Sequence, residues 1–273
     1  FHPSRLRNLL NRPVFNYANV PYRIKPFDSL LENAKSTVSY DHDLAARIEQ
    51  RVTSMGADGK LILDASGEVY QVTLLEKLLV SLLCKLCNLV VDGGIWMNTQ
   101  RPEWNDANNA LVGHGLSMVT LYYMRRHISL MQKILAEEVG VTELSNEVGE
   151  WLVDTASALK NIAPLLSKGP VSPTQRLATL RSLGEAASKY QAAVYQDEPF
   201  SGKSLQKLDV INSLFENALT VIDHSISTNR RDDGLYHAYN LLEPQQDGIL
   251  VKRLYLMLEG QVAALSSGFV GPE

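Results

Sequence analysis

The chain has 273 residues, of which 45% are hydrophobic and 21% charged, and its formal net charge at pH 7 is -4. This length can bury a substantial core, and this composition is ordinary for a globular protein. The slightly acidic balance argues against nucleic acid as a partner, because domains that bind nucleic acid carry basic patches. The most apolar stretch, 74–91, contains Glu76, Lys77 and Lys85, so we expect a core helix there and no membrane span.

The two cysteines, Cys84 and Cys87, lie three residues apart in that stretch. A lone pair without further ligands is a weak metal or redox signal, so we interpret both as small core residues. We therefore predict no metal and no cofactor, and the cysteines leave the localisation unknown. The sequence begins Phe1-His2-Pro3 without an initiator Met, which indicates a piece of a longer protein.

The pattern over residues 1–72 predicts an extended segment, then helix, then a β-hairpin. Residues 1–26 contain four prolines, which predicts an extended N-terminal segment. Asp28 can cap a helix that runs to about residue 55, and Asp41 could divide it by capping a second helix. Two short runs flank the turn residues 64–67, so the region 61–72 predicts a small β-hairpin.

The rest of the pattern is helical. Thr73 with Glu76 has the spacing of a capping box in front of a leucine-rich helix. Further helices are expected over about 109–138, 142–166, 174–195, 204–227 and 249–265. The sequence shows no fixed-period repeat. These patterns predict one all-α domain over 1–273, built of antiparallel helices with one small hairpin.

Two long polar segments interrupt the predicted helices, at 92–113 and 228–244. Plain connections between helices usually run ~2–8 residues, so longer ones indicate a function. Both segments contain Asp, Asn, Arg, Gly and aromatic residues. Aromatic faces stack on the C–H surfaces of sugars, while carboxylates, amides and arginines bond their hydroxyls. The two segments therefore predict one carbohydrate site.

Within the first segment, Trp104-Asn105-Asp106 follows Gly-Gly-Ile-Trp and leads towards an expected helix. This short stretch resembles the Trp-Asn-Asp segment of the (α/α) six-hairpin glycosidase superfamily, in its cellobiose phosphorylase-like group and the related glycogen-debranching glucosidases. The resemblance implies a toroid of antiparallel helical hairpins, incomplete here because the chain supplies too few helices. It also implies that Asp106 is the general acid and that Trp104 shapes the sugar site.

Cleavage of a glycosidic bond needs a carboxylic acid to protonate the leaving oxygen. Inverting hydrolysis adds a carboxylate base, whereas in phosphorolysis bound phosphate attacks instead. Glu103 is a rival acid to Asp106, and Asp233 and Glu259 are candidate bases. The residues expected to hold sugar or phosphate are Trp96, Trp104, Arg101, Asn105, Arg231, Tyr236, His237 and Tyr239.

Plainer interpretations exist for the same residues. Asp106 can cap the helix that follows it, which does not exclude catalysis. Glu103 can be a solvated charge, and Asp233 can form a salt-bridged turn with Arg231. The alternative function is a non-catalytic helical module that binds a glycan or a protein partner.

Overall fold

A computed structural model describes residues 3–98, 111–169, 171–196 and 199–271 of the chain. It is 54% helix and 19% strand, and its strands include a curled antiparallel sheet of five strands. The predicted all-α toroid of helical hairpins is therefore wrong. The fold combines α-helices with a sheet that packs against them.

The helices and strands of the described residues are as follows. The α-helices are Pro3–Asn11 (α1), Phe27–Glu32 (α2), His42–Met55 (α3), Leu74–Leu86 (α4), Met118–Leu135 (α5), Asn146–Ile162 (α6), Pro173–Val194 (α7), Leu208–Ser227 (α8) and Glu259–Ser266 (α9). The strands are Phe15–Asn16 (β1), Tyr22–Ile24 (β2), Val38–Tyr40 (β3), Gln71–Val72 (β4), Leu89–Val90 (β5), Gly94–Trp96 (β6), Gly115–Ser117 (β7), Val141–Ser145 (β8), Lys203–Lys207 (β9), Tyr239–Gln245 (β10) and Gly248–Arg253 (β11).

The five-stranded sheet has the order β11-β10-β7-β6-β5, and every neighbouring pair is antiparallel. Three two-stranded ladders, β1 with β4, β2 with β3 and β8 with β9, tie connecting segments together. In the large sheet Ser117 of β7 is the partner of both Ile95 and Tyr239. This register brings the start of β10 beside the turn that joins β5 to β6.

The sheet replaces helix and loop that the sequence pattern had predicted. The expected helix 249–265 is strand β11 followed by the short helix α9, and residues 239–244 are strand β10. The hairpin between these strands turns at Gln246-Asp247, because Gln245 of β10 pairs with Gly248 of β11. Two-residue connections are the commonest hairpin loops. Within the helix expected over about 109–138, strand β7 lies at Gly115–Ser117 and helix α5 follows it, where Ser117 caps α5 by accepting from Thr120 N at 3.0 Å.

The N-terminal segment is also corrected. Residues 1–26 were expected to be extended, but Pro3–Asn11 is a helix. Proline is tolerated at the first helical position, where its missing N–H costs nothing, so Pro3 starts α1 instead of breaking it. Leu10 is 1% exposed and joins the main core. Within 61–72 the hydrogen bonds run across a tight turn, with a bridge between Leu63 and Val69.

The main core lies among α4, α5, α6 and α8. Thr73 caps α4 by accepting from Glu76 N at 3.2 Å, while the Glu76 carboxylate bonds Ser145 and Tyr17 and does not complete a capping box. Helix α7 lies between α6 and the sheet, where it packs against β5 and β11. None of the described helices is long and apolar enough to cross a membrane.

Candidate functional site

The turn between β5 and β6 contains a strained backbone conformation at a buried acidic residue. Asp92, in this turn, has φ 65° and is the one non-glycine residue of the described ranges with positive φ. That conformation costs an L-residue on the order of 1 kcal/mol, although Asp adopts it more readily than most. Asp92 is also only 5% exposed. A strained, buried carboxylate persists only where its surroundings hold it.

The Asp92 side chain is held by residues from two helices. Arg176 of α7 donates from Nη2 to Oδ2 at 2.7 Å, and from Nε to the carbonyl of Val91 at 3.1 Å. Thr228, just after α8, donates to Oδ1 at 3.3 Å. His224 Nε2 lies 2.9 Å from Oδ1 without hydrogen-bonding geometry. The carboxylate is fully engaged inside the protein.

The backbone of the turn is held by a second layer of side chains. Asp92 N donates to Ser225 Oγ at 3.1 Å, and Asp92 O accepts from Asn229 Nδ2 at 2.8 Å. Asn240 of β10 donates to the Gly93 carbonyl and to Asn229 Oδ1, each at 2.8 Å. Both asparagines are fully buried. Amides buried with their hydrogen bonds satisfied fix one arrangement of the segments they join.

Arg253 of β11 completes this Asp92 cluster, by which we mean Asp92, Arg176, His224, Thr228, Asn229, Asn240 and Arg253. Its guanidinium donates to Asn229 Oδ1, to Asn240 Oδ1 at 3.1 Å and to the Thr228 carbonyl at 2.7 Å. Burial lowers the pKa of Arg253, Asp92 opposes that shift, and Arg176 adds to it. The cluster therefore joins α7, the end of α8, strands β10 and β11 and the turn between β5 and β6.

A second set of contacts fixes the two ends of the segment that follows this turn. Trp96 Nε1 donates to the Gly113 carbonyl at 2.9 Å, and Met97 N donates to the Gly115 carbonyl at 2.8 Å. Gly113 has φ 75°, which glycine adopts without strain. The main chain on either side of 99–110 is thus clamped together at its base.

The predicted site residues of the described chain occupy mostly structural positions. Trp96 is 3% exposed and packs in the core cluster between the sheet and α7. Tyr236 is 8% exposed and meets the Tyr122 ring edge-to-face at 6.3 Å. Tyr239 is 2% exposed and donates to Glu259 Oε1 at 2.9 Å. Rings buried in this way do not present a free face to a sugar.

The charged candidates of the second segment lie near the cluster. Arg231 pairs with Asp233, whose Oδ1 also accepts from Leu235 N at 3.1 Å. The pKa of His237 is lowered, first by burial and then by Arg253 and Arg231, with Asp233 acting in the opposite direction. The remaining predicted residues, Arg101, Glu103, Trp104, Asn105 and Asp106, lie outside the described residues.

The two polar segments do meet: Asn229 and Asn240 bond the backbone at Asp92 and Gly93. Leu111 of the first segment also packs in one apolar cluster with Ala238 and Tyr239 of the second. Sequence reasoning missed Arg176, His224 and Arg253 as parts of this arrangement. Arg176 and Arg253 come from elements far apart in the chain, so no local spacing connects them to Asp92. The Asp-Gly pair after Leu-Val-Val was a usable signal, because it is typical of a hairpin turn.

The chain matches no protein-family model, and no curated protein matches it. Among the residues that the structure describes, no group of three or more His, Cys, Asp or Glu side chains is arranged to hold a metal ion. Chemically, the Asp92 cluster is a support: its carboxylate is buried and bonded, so it positions the neighbouring segments and does not itself present an acid to a substrate.

Proposed function

We propose that this chain belongs to a carbohydrate-active enzyme that cleaves a glycosidic bond, by hydrolysis or phosphorolysis, with a carboxylic general acid from the segment 99–110. One observation carries the proposal. The segment that contains Trp104-Asn105-Asp106 is clamped at its base by Trp96 and Gly113 and follows directly from the strained Asp92 turn. Catalytic groups are commonly carried by connecting segments that a rigid scaffold positions.

The roles within that proposal follow the chemistry of the reaction. Asp106 protonates the leaving oxygen, with Glu103 as the rival acid. Trp104 offers a ring for stacking, while Arg101 and Asn105 bond hydroxyls or phosphate. Asp233 and Glu259 stay candidate bases for inverting hydrolysis, and Arg231 and His237 stay candidates to hold hydroxyls or phosphate.

The test is a disaccharide screen with and without phosphate, followed by variants. Asp106→Asn should lower kcat by roughly 100-fold or more, since a general acid contributes about that much to the rate. Glu103→Gln should have a smaller effect, and Asp247→Asn, an exposed carboxylate in the β10–β11 turn, should change nothing. Full activity in both Asp106→Asn and Glu103→Gln would contradict the proposal.

A second candidate is a non-catalytic module that binds a glycan or a protein. The bonded state of the candidate bases favours it, since Asp233 pairs with Arg231 and Glu259 accepts from Tyr239. This function predicts saturable binding of an oligosaccharide or a protein with no product formed from any disaccharide. The same screen, read by calorimetry as well as by product formation, separates the two candidates.

A further inference from the structure

A cavity of about 380 Å³ lies away from the Asp92 cluster, between helix α3, the segment before β2 and the end of α7. Its polar lining consists of Asn19, Arg23, Arg47, Gln50, Arg51 and Gln196. The volume is within the usual range of small-molecule sites, which is ~300–1,000 Å³. Three arginines and three amides therefore face one space large enough for a small metabolite.

Arg51 supplies the main reason to assign a ligand. Its Nε and Nη2 atoms are buried and have no hydrogen-bond acceptor. A buried guanidinium without an acceptor is unfavourable, because its N–H groups have lost water and gained nothing in return. The chain also holds Arg51 in place, since the backbone of Arg51 and Val52 packs directly against Gly59, with no room there for a Cβ.

Arg23 forms a second cationic wall of the cavity. Its guanidinium stacks over the Tyr195 ring at 4.5 Å from the centroid, and its Nε lies 3.7 Å from Asp41 Oδ2. Tyr195 is itself fixed, because its hydroxyl accepts from Ile24 N at 3.1 Å. A stacked arginine keeps its planar fork oriented, which suits it to bind an oxyanion.

We propose that this cavity binds a small organic phosphate, a phosphomonoester of a polyhydroxylated molecule. Arginine forks match the oxygens of a phosphate group, and hydrogen bonds between these ions are among the stronger ones in proteins. The amides of Asn19, Gln50 and Gln196 are suited to the hydroxyls of the attached molecule. This site shares no residue with the Asp92 cluster, and it does not rest on the proposed glycosidase function.

The test measures binding of inorganic phosphate, glucose 6-phosphate and glucose to the full chain by calorimetry and by thermal shift. NaCl at the same ionic strength controls for general salt effects. Glucose 6-phosphate should bind more tightly than phosphate and should raise the Tm, and glucose should do neither. Equal Tm shifts with NaCl, or no binding of either phosphate compound, would overturn the proposal.

Two variants decide whether Arg51 is responsible. Arg51→Met should weaken binding of glucose 6-phosphate by about tenfold or more, the loss expected for hydrogen bonds to a charged group. Arg12→Gln removes the same charge from an exposed position outside the cavity and should leave binding unchanged. Wild-type affinity in Arg51→Met, with its fold intact by circular dichroism, would overturn the assignment.

Asp197 and Glu198 follow Gln196 in the sequence and lie outside the described residues. The double variant Asp197→Asn with Glu198→Gln tests whether carboxylates of the chain itself take the place of the ligand. Binding of glucose 6-phosphate by the wild type supports the proposal whatever the double variant does. Binding by the double variant alone overturns it, because the cavity would then be closed by an internal ion pair.

Discussion

Two regions of this molecule hold arginine N–H groups away from water, and they do so in opposite ways. At the Asp92 turn, Arg176 and Arg253 meet a carboxylate, two asparagine side chains and backbone carbonyls. At the cavity beside α3, Arg51 has buried N–H groups without an acceptor. The first arrangement satisfies its charges internally, which is typical of a structural support. The second leaves a charge that a ligand could satisfy.

The largest expected effect on stability comes from a substitution within the Asp92 cluster. Asp92→Ala leaves Arg176, whose side chain is mostly buried, without its carboxylate partner. We therefore expect a loss of about 3–5 kcal/mol in the free energy of unfolding, the usual cost of removing one partner of a buried pair. Urea denaturation measures this. Glu216→Ala, an exposed carboxylate on α8, should change stability by no more than ~0.5 kcal/mol.

The conformation of Asp92 and its charge can be separated with a second substitution. Asp92→Gly removes the carboxylate but relieves the positive φ, so it should be less damaging than Asp92→Ala by on the order of 1 kcal/mol. If the two variants are equally unstable, strain at the turn contributes nothing. If both lose less than ~1 kcal/mol, the Asp92 cluster is not the support that its hydrogen bonds indicate.

A medium effect on stability is expected from His237, whose pKa responds to the charge of Arg253 in the Asp92 cluster. Burial, Arg253 and Arg231 lower the pKa of His237 in the folded chain, while an unfolded histidine titrates near 6.5. Between those two pKa values the unfolded chain binds more protons, so stability falls as the pH drops below about 6.5 and is restored above it. His237→Gln should make the free energy of unfolding less dependent on pH between about 5 and 7.

His127 provides the matched comparison for that experiment, because burial alone lowers its pKa. Added NaCl should shrink the pH dependence contributed by His237, since salt screens the arginine charges. The contribution of His127 should respond less. Equal salt responses at the two positions would show that Arg253 and Arg231 do not act on His237.

The contrast between local and long-range contacts explains which parts of the fold were predictable from sequence. The helix expected over 174–195 is Pro173–Val194, close to its predicted bounds, and Asp41, which could divide the helix expected from Asp28, does cap α3. The part before that division is only the short helix Phe27–Glu32, without a side-chain cap. Local hydrogen bonds and burial on one face determine such elements, and both leave a short-range pattern. Strands β6, β7, β10 and β11 depend on partners far along the chain.

The candidate site shows the same limit. Asp92 was visible as the start of a polar segment, and Asn229 and Asn240 lay in the second one. That their side chains meet follows from the register of β10 on β7, which no local spacing encodes. Trp96 illustrates the converse, because an aromatic residue beside a polar segment had the composition of a sugar platform but fills the core.

The smallest expected effect on the free energy of unfolding comes from replacing Arg51, whose buried Nε and Nη2 have no acceptor. Arg51→Met should leave the free energy of unfolding within ~0.5 kcal/mol of the wild type or raise it in ligand-free buffer, because a buried charge without a partner gives way to an apolar side chain of similar length. Arg176→Met makes the same chemical change where the arginine bonds Asp92, and it should cost about 3 kcal/mol or more.

Both variants are compared by urea denaturation in phosphate-free buffer, since bound phosphate would stabilise only the folded wild type. Opposite outcomes for one substitution at two buried arginines would establish that pairing, and not burial, distinguishes the two regions. A loss at Arg51 as large as that at Arg176 would mean that Arg51 already has a stabilising partner within the chain. The cavity would then be another internally satisfied cluster, with no charge left for a ligand.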